Sequence, residues 1–361
     1  MGRRAVLGAL AASALVGQAH AGDPVETVEI TPALIAAAQR EGRLLMRYSC
    51  PVDEATNMGR AFESAFGIKV QLDRKVGVVA TQLFATEERA GQHIMDVNFG
   101  SDPPGLRDLA DEGLYLRYTL PDLASKLAPS ATIAGLGYCP RWTDIVLSYN
   151  PSLIAHEDAR KRFATWHGLL DPSLVGRIGL TEPAGGGVAF AFYLMLLRTP
   201  DYGRAFLEKL AAQKPRLYPG SAGGREDLAA GAISVFVPNW EGVAMAEFLK
   251  GDRTAWMYPE RLPSFANTFL SISAHAPHPA AARLFSAWFF TEEGAKVVEL
   301  AQNKSTLRGH VDGRAATGKL REASWWQPLP IERAWVPDQK DWDENYETLL
   351  PKIRQILGWR G

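Results

Sequence analysis

Four short stretches carry the residues best suited to grip a small molecule: "SCPVDEAT" (Ser49 to Thr56), "GSDPPG" (Gly100 to Gly105), "TEPAGGG" (Thr181 to Gly187) and "PGSAGGRED" (Pro219 to Asp227). Each sets small or polar residues just ahead of a helix-forming segment. Free backbone N–H groups at a helix start favour anions, and glycines let a backbone come close to a ligand. Arg225 adds a guanidinium that suits a carboxylate or phosphate through two parallel hydrogen bonds. The expected contacts are Ser49, Cys50, Ser101 and Asp102 from one side, and Thr181, Gly186, Gly187, Ser221, Gly223 and Arg225 from the other. Asn239 and Trp240, in "VPNWEG", add an amide and a ring able to stack on a ligand.

The chemistry this implies is capture rather than catalysis. Neither HExxH nor a phosphate-binding G-x-x-x-x-G-K-[ST] occurs, and "PGSAGG" has Pro219 where a nucleophile elbow needs glycine. Cys50 and His167 are a conceivable thiol dyad, but nothing in the sequence brings them together. In "AHAPHP", Pro277 between His275 and His278 and Pro279 just after them prevent a shared helical face, with no neighbouring acid or cysteine. No metal site, no cofactor and no catalytic residue are expected.

The elements that must position these loops alternate. "RLLMRY", "IKVQL" and "HIMDVNFG" read as strands, separated by helices over "EATNMGRAFESAF" and "VVATQLFATEERAG" and followed by one over "PPGLRDLADEG". The pattern restarts after "DIVLSYN", with strands at "RIGLTEP", "RLYPG", "AISVFVPN", "TAWMYPE" and "ANTFLSIS", a buried helix at "GGVAFAFYLMLL", and further helices at "DYGRAFLEKLAAQ", "GREDLAAG" and "EGVAMAEFLKG". Strand and helix in alternation mean α/β units around largely parallel sheets, whose ligands sit at the carboxyl ends of the strands. Pro279 suits the first position of a helix whose face carries Leu284, Phe285, Trp288 and Phe289, and Thr291 suits the cap of the next. From about Leu320 the tail reads as helical and rich in tryptophan.

The chain opens "MGRRAVLGALAASALVGQAHAGDP", with Arg3 and Arg4, a short apolar run and Ala19-His20-Ala21 as a cleavage pattern. Residues 1–21 read as a secretory signal peptide of the general or twin-arginine kind, because the apolar run is too short to span a bilayer. Its removal moves the formal charge from −1 to −3, since it takes Arg3 and Arg4 and no acid. A chain so nearly neutral argues against nucleic acid as a partner. The length favours two domains. The two cysteines, Cys50 and Cys139, are either a disulfide or two separate buried thiols.

"HAPHPAAARLFSAWFFTEEGAKVV" resembles the P-H-P-rich stretch of bacterial extracellular solute-binding proteins of ABC importers, in the branch that takes iron(III) and organic anions. "LLMRYS", "AFESAFGIKV", "IMDVNFGSD", "DEGLYLRY", "IVLSYNP", "LLDPSLVGRIGL" and "STLRGHVD" match that family's pattern in order, over nearly the whole chain. The resemblance implies a periplasmic binding protein of the type 2 kind: an α/β protein of two α/β lobes joined by crossing strands, with the ligand in the cleft between them. One lobe would hold residues 22–148 with 266–312, and the other 149–265 with the C-terminal helices of 313–361. Expected partners are a small-molecule ligand and a membrane permease, for a monomer in the periplasm. The family fold would bring Cys50 and Cys139 near the hinge, which favours their pairing. Iron-binding relatives place a tyrosine pair where this chain has Trp240 and Glu241. Tryptophan offers no oxygen, so an organic anion is expected over ferric iron, and a secreted hydrolase is the remaining alternative.

Overall fold

The computed structural model describes residues 25–184, 187–316, 318–326, 328 and 334–359; the expected signal peptide and Gly186 lie outside the described residues. The described residues begin with β1 (Glu26–Thr27) and α1 (Pro32–Glu41), then alternate β2 (Arg43–Tyr48), α2 (Val52–Phe66), β3 (Lys69–Arg74), α3 (Gly77–Arg89), β4 (Val97–Gly100) and α4 (Pro103–Asp111). Shorter pieces follow: β5 (Tyr118–Thr119), α5 (Leu123–Lys126), β6 (Thr132–Ile133) and β7 (Gly137–Tyr138). The second stretch runs β8 (Arg141–Tyr149), α6 (His156–Arg162), β9 (Ile178–Thr181), α7 (Gly187–Arg198), α8 (Gly203–Ala212), β10 (Arg216–Tyr218), α9 (Ser221–Ala229), β11 (Val235–Trp240), α10 (Glu241–Lys250), β12 (Ala255–Met257) and β13 (Leu262–Phe265). The chain then returns through β14 (Phe269–Ile272), α11 (Pro279–Trp288), α12 (Glu292–Leu300) and β15 (Lys304–Ser305), and ends with β16 (Ala334–Trp335) and α13 (Gln339–Leu357).

Two larger sheets result. One has the order β3-β2-β4-β14-β7-β6, the other β10-β9-β11-β8-β13-β16 with β12 and β15 also paired to β8. In the first, β2 is parallel to β3 and β4, while the returning β14 is antiparallel to β4. A parallel strand needs a crossover, which α2 and α3 supply. In the second, β9 is parallel to β10 and β11, and β8 is antiparallel to β11.

Local signals set the helix ends. Gly67 closes α2 at φ 72, a conformation an L-residue adopts only with strain, and the Thr291 side chain accepts from the Gly294 N–H at 3.2 Å to start α12. Pro279 is the first residue of α11, and Leu284, Phe285, Trp288 and Phe289 are all buried. The helix α7 is apolar almost all round and buried from Ala189 to Leu196, because it packs against α8, α13 and the second sheet at once. Each sheet has its own core: Met46, Phe62, Phe99 and Phe285 in the first, Trp166, Phe190, Leu194 and Val237 in the second.

The crossing strand β8 pairs within the second sheet from its first residue, Arg141. Two expectations need correction. The strand β13 was not expected; its "LPSF" is short, begins next to a proline and lacks alternation. The two cysteines are free and buried in different clusters, with the Cys139 thiol donating to the Arg141 carbonyl at 3.0 Å.

Candidate functional site

A cavity of about 580 Å³ lies between the two sheets. From the first half come Ser101 to Pro104 and Arg107, at the start of α4, and the turn Pro129 to Ala134 with Ser130 and Thr132. The crossing segment between β13 and β14 contributes Phe265, Ala266, Asn267 and Phe269. The second half adds Gly187, at the start of α7, and the C-terminal residues Val336, Pro337 and Trp342. This is the carboxyl end of β4, as the open-sheet rule requires.

The α4 end is built by its own side chain. Asp102 caps the helix, accepting from the Gly105 N–H at 3.2 Å, and its other oxygen accepts from the Thr81 hydroxyl at 2.6 Å. Its carboxylate is therefore spent on the fold. Asn267 is better placed for a ligand. Its side-chain carbonyl accepts from the hydroxyls of Thr143 at 2.9 Å and Thr268 at 3.2 Å, and from Arg141 at 3.5 Å. Three donors on one oxygen fix the amide's orientation and turn its NH2 into an available donor at the cavity wall.

Behind Asn267 stands Arg141, on β8. Its guanidinium donates to Glu54 at 2.6 Å, to the Thr143 hydroxyl at 2.8 Å and to the Thr268 hydroxyl at 3.2 Å. It also lies 4.7 Å from the centre of the Trp240 ring. Glu54 begins α2 in the first half and Trp240 ends β11 in the second, so this buried cation joins the halves. Burial raises the Glu54 carboxyl above its usual range, partly offset by Arg141. A second buried cation, Arg314, donates to Glu241 at 3.1 Å and to Asp312 at 2.7 Å. Glu241 also accepts from the Tyr258 hydroxyl.

Of the expected contacts, Ser101, Asp102 and Gly187 line the cavity, and Gly186 lies outside the described residues. The other described ones lie elsewhere. Ser49 donates to the Phe99 carbonyl at 3.3 Å, and Thr181 is buried with its hydroxyl 3.5 Å from the Pro238 carbonyl. Cys50 is buried, which pushes its thiol well up and disfavours the thiolate; His167 packs on Tyr202 and Phe206 in the second half. Asn239 donates to the Ser148 hydroxyl at 2.9 Å inside the second sheet. Trp240 offers a ring face to Arg141 and is absent from the cavity lining.

The fourth loop is not a loop. The helix α9 already begins at Ser221, so Ser221, Gly223 and Arg225 are helical residues. A Cβ on Gly224 would lie 2.1 Å from the Phe236 ring, and one on Gly223 would touch Tyr218. Those glycines bring the helix against β11 and β10. Arg225 pairs with Glu247 at 2.7 Å and donates to Ser221 at 2.6 Å, beside a separate pocket of about 300 Å³. Glu226 and Asp227, its nearest acids in sequence, are not its partners. Thr132, Asn267, Arg107 and Trp342 were missed. The one available signal was "SFANTF", a polar residue inside an apolar crossing between two strands.

No family model and no curated protein sequence matches the chain. Solved structures do. The substrate-binding protein of an ABC transporter from Agrobacterium tumefaciens is 17% identical with a TM-score of 0.65, over 87% of this chain and 94% of its own. Iron-bound HitA from Pseudomonas aeruginosa is 20% identical with a TM-score of 0.61, over 86% and 99%. The periplasmic binding protein AfuA from Actinobacillus pleuropneumoniae, with fructose-6-phosphate bound, is 18% identical with a TM-score of 0.62, over 88% and 99%. The chain has the two-lobed α/β fold of these binding proteins.

Proposed function

We propose that this protein is the extracytoplasmic solute-binding component of an ABC importer and captures a small organic anion, a phosphate ester, phosphonate or carboxylate, between its lobes. The observation that carries this is the inter-lobe cavity with Asn267 held as a donor at its wall. Around that amide stand the Ser101, Ser130 and Thr132 hydroxyls, the Arg107 guanidinium and the rings of Phe265, Phe269 and Trp342. A few placed polar groups on an otherwise apolar wall suit a ligand with an oxygen-rich end and a carbon body. Residues 22–148 with 266–312 and residues 149–265 with 313–361 would act as the lobes, adjusted at β8, and would close about the crossing segments. The protein would work as a monomer handing its ligand to a membrane permease, after export to the periplasm.

Ferric iron is the weaker reading. Glu241, the oxygen donor nearest the place of the tyrosine pair, is buried and already held by Arg314 and Tyr258. Hydrolysis is weaker still, since Cys50 and His167 belong to different halves. Among the described residues no helix is long and apolar enough to cross a membrane.

Native mass spectrometry of protein purified without refolding tests the proposal by the mass of any retained solute. Panels of sugar phosphates, phosphonates and carboxylates then give the affinity, and solution scattering reads closure. A small acid that binds tightly and shrinks the scattering radius supports it. A cationic ligand, or turnover of the bound compound, overturns it.

A further inference from the structure

At the opposite end of the first sheet from the cavity, the amino end of β4, three side chains from separate places converge. Glu88 comes from the last turn of α3, His93 from the turn after it, and His275 from the turn after β14. The Nδ1 of His93 and the Nδ1 of His275 each lie 2.8 Å from the same oxygen, Oε2 of Glu88. The two imidazole rings are 4.5 Å apart. The other oxygen of Glu88, Oε1, is buried with no hydrogen-bond partner among the described residues, and the side chain is 1% exposed. A cluster that served only to satisfy a buried carboxylate would give each oxygen a donor. Here both donors crowd one oxygen and its twin is left bare.

We propose that Glu88, His93 and His275 form a binding site for a divalent transition cation of the zinc type. The donor set is two imidazole nitrogens and a carboxylate, which suits such an ion, with a position left for water. The three candidate ligand atoms all lie within 4.8 Å of one another. Tetrahedral zinc with bonds of about 2.0–2.1 Å holds its ligand atoms about 3.3 Å apart, so each nitrogen need retreat from Oε2 by only about 0.5 Å. On binding, the proton on each Nδ1 moves to that ring's other nitrogen, which leaves the Nδ1 lone pair for the metal. His93 is exposed and gives an ion a route in from solvent, while the His275 backbone is held by its N–H to the Ser273 hydroxyl at 3.2 Å. The bound ion would clip the end of α3 to the turn that follows β14, in the middle of the sheet.

Other histidines show the contrast. His278 faces Asp96 with Nδ1 at 2.9 Å, and its Nε2 accepts from Arg43 at 3.1 Å. His310 gives one nitrogen to Glu292 at 2.8 Å and the other to Glu299 at 2.7 Å. In each, both ring nitrogens are already engaged. Pro277 does separate His275 from His278, as the sequence suggests; the partner His275 meets is His93, far away in the chain.

The test uses full-length exported protein without a histidine tag, stripped by a chelator, with zinc alone as the probe. Calorimetry should show one zinc per chain with micromolar or tighter affinity, and zinc should raise the melting temperature. Cobalt in place of zinc should give visible absorption bands of a low-symmetry site. His93→Gln, at an exposed position, and His275→Gln should each weaken zinc at least tenfold, with circular dichroism unchanged; Glu88→Gln should abolish it. His310→Gln should leave zinc affinity unaltered. No zinc binding at about 100 μM, or binding that survives His93→Gln and His275→Gln together, or loss in His310→Gln alone, overturns the site.

Discussion

In the joint between the sheets, Arg141 and Arg314 are each 2% exposed and set against buried glutamates, whereas the cavity next to them is walled by hydroxyls, an amide, rings, the Arg107 guanidinium and the Asp102 carboxylate that caps α4. The joint buries its charges in pairs, and the cavity sets neutral donors beside its two charged groups. Buried charges are tolerable only when fully paired, and a paired network holds its members in one arrangement. The Glu54–Arg141–Thr143–Asn267 chain of hydrogen bonds carries that order from the joint to the cavity wall. A donor oriented in advance loses less freedom when the ligand arrives.

The sharpest way to break this division is at Arg141. Arg141→Ala leaves Glu54 buried without its partner, and one Glu54 oxygen already lacks a hydrogen bond. We expect a loss of about 3–5 kcal/mol in urea unfolding. Adding Glu54→Gln to that variant should recover part of it; a loss under about 1 kcal/mol would show that the joint is not held by this pair.

Asp144 tests whether every charge in the joint is well paired. Burial first, and then the nearby Glu241, raise its carboxyl from the usual 3.8 to about 6. Its Oδ2 has no hydrogen-bond partner among the described residues, while the other oxygen accepts from Ser264. A folded pKa above the unfolded one means that its contribution is fully present below about pH 4 and lost as pH rises through about 6. The shift corresponds to about 3 kcal/mol. Asp144→Asn should therefore raise stability by about 2–3 kcal/mol at pH 7.5 and by nothing at pH 4, read from unfolding curves across that range.

Much of the architecture was legible in advance. Strand periods, the glycine at the end of α2, Pro279 and Thr291 all act through nearest neighbours in the chain, and such signals survive without tertiary information. The site was less so. Glycines 223 and 224 signalled a ligand loop, yet they serve contact with Tyr218 and Phe236, side chains that only the folded sheet brings near. Arg225 found Glu247 on the following helix rather than a ligand. Asn267 and Trp342 meet at one cavity although 75 residues separate their numbers, and no local pattern encodes that.

Two smaller effects sharpen the cavity side of the comparison. Asn267→Leu removes the oriented donor and should weaken the ligand recovered by native mass spectrometry about tenfold, or about 1.4 kcal/mol, in calorimetry. An unaltered affinity would move the recognition elsewhere on the wall. Arg225→Ala should leave affinity unchanged and cost about 0–1 kcal/mol of stability, because its pair with Glu247 is partly exposed. A tenfold drop in affinity on that substitution would return the anion to the start of α9.

The C-terminal helix α13 packs on α7 and α8, fastened by Arg198 to Asp341 at 2.6 Å and by Arg354 to Glu182. Together with Val336 and Pro337, its Trp342 supplies part of one cavity wall. One side of the cavity is therefore tied on by two ion pairs whose arginines reach solvent. Salt screens such pairs far more than it weakens apolar packing. Rising ionic strength should loosen this wall while both hydrophobic cores stay intact.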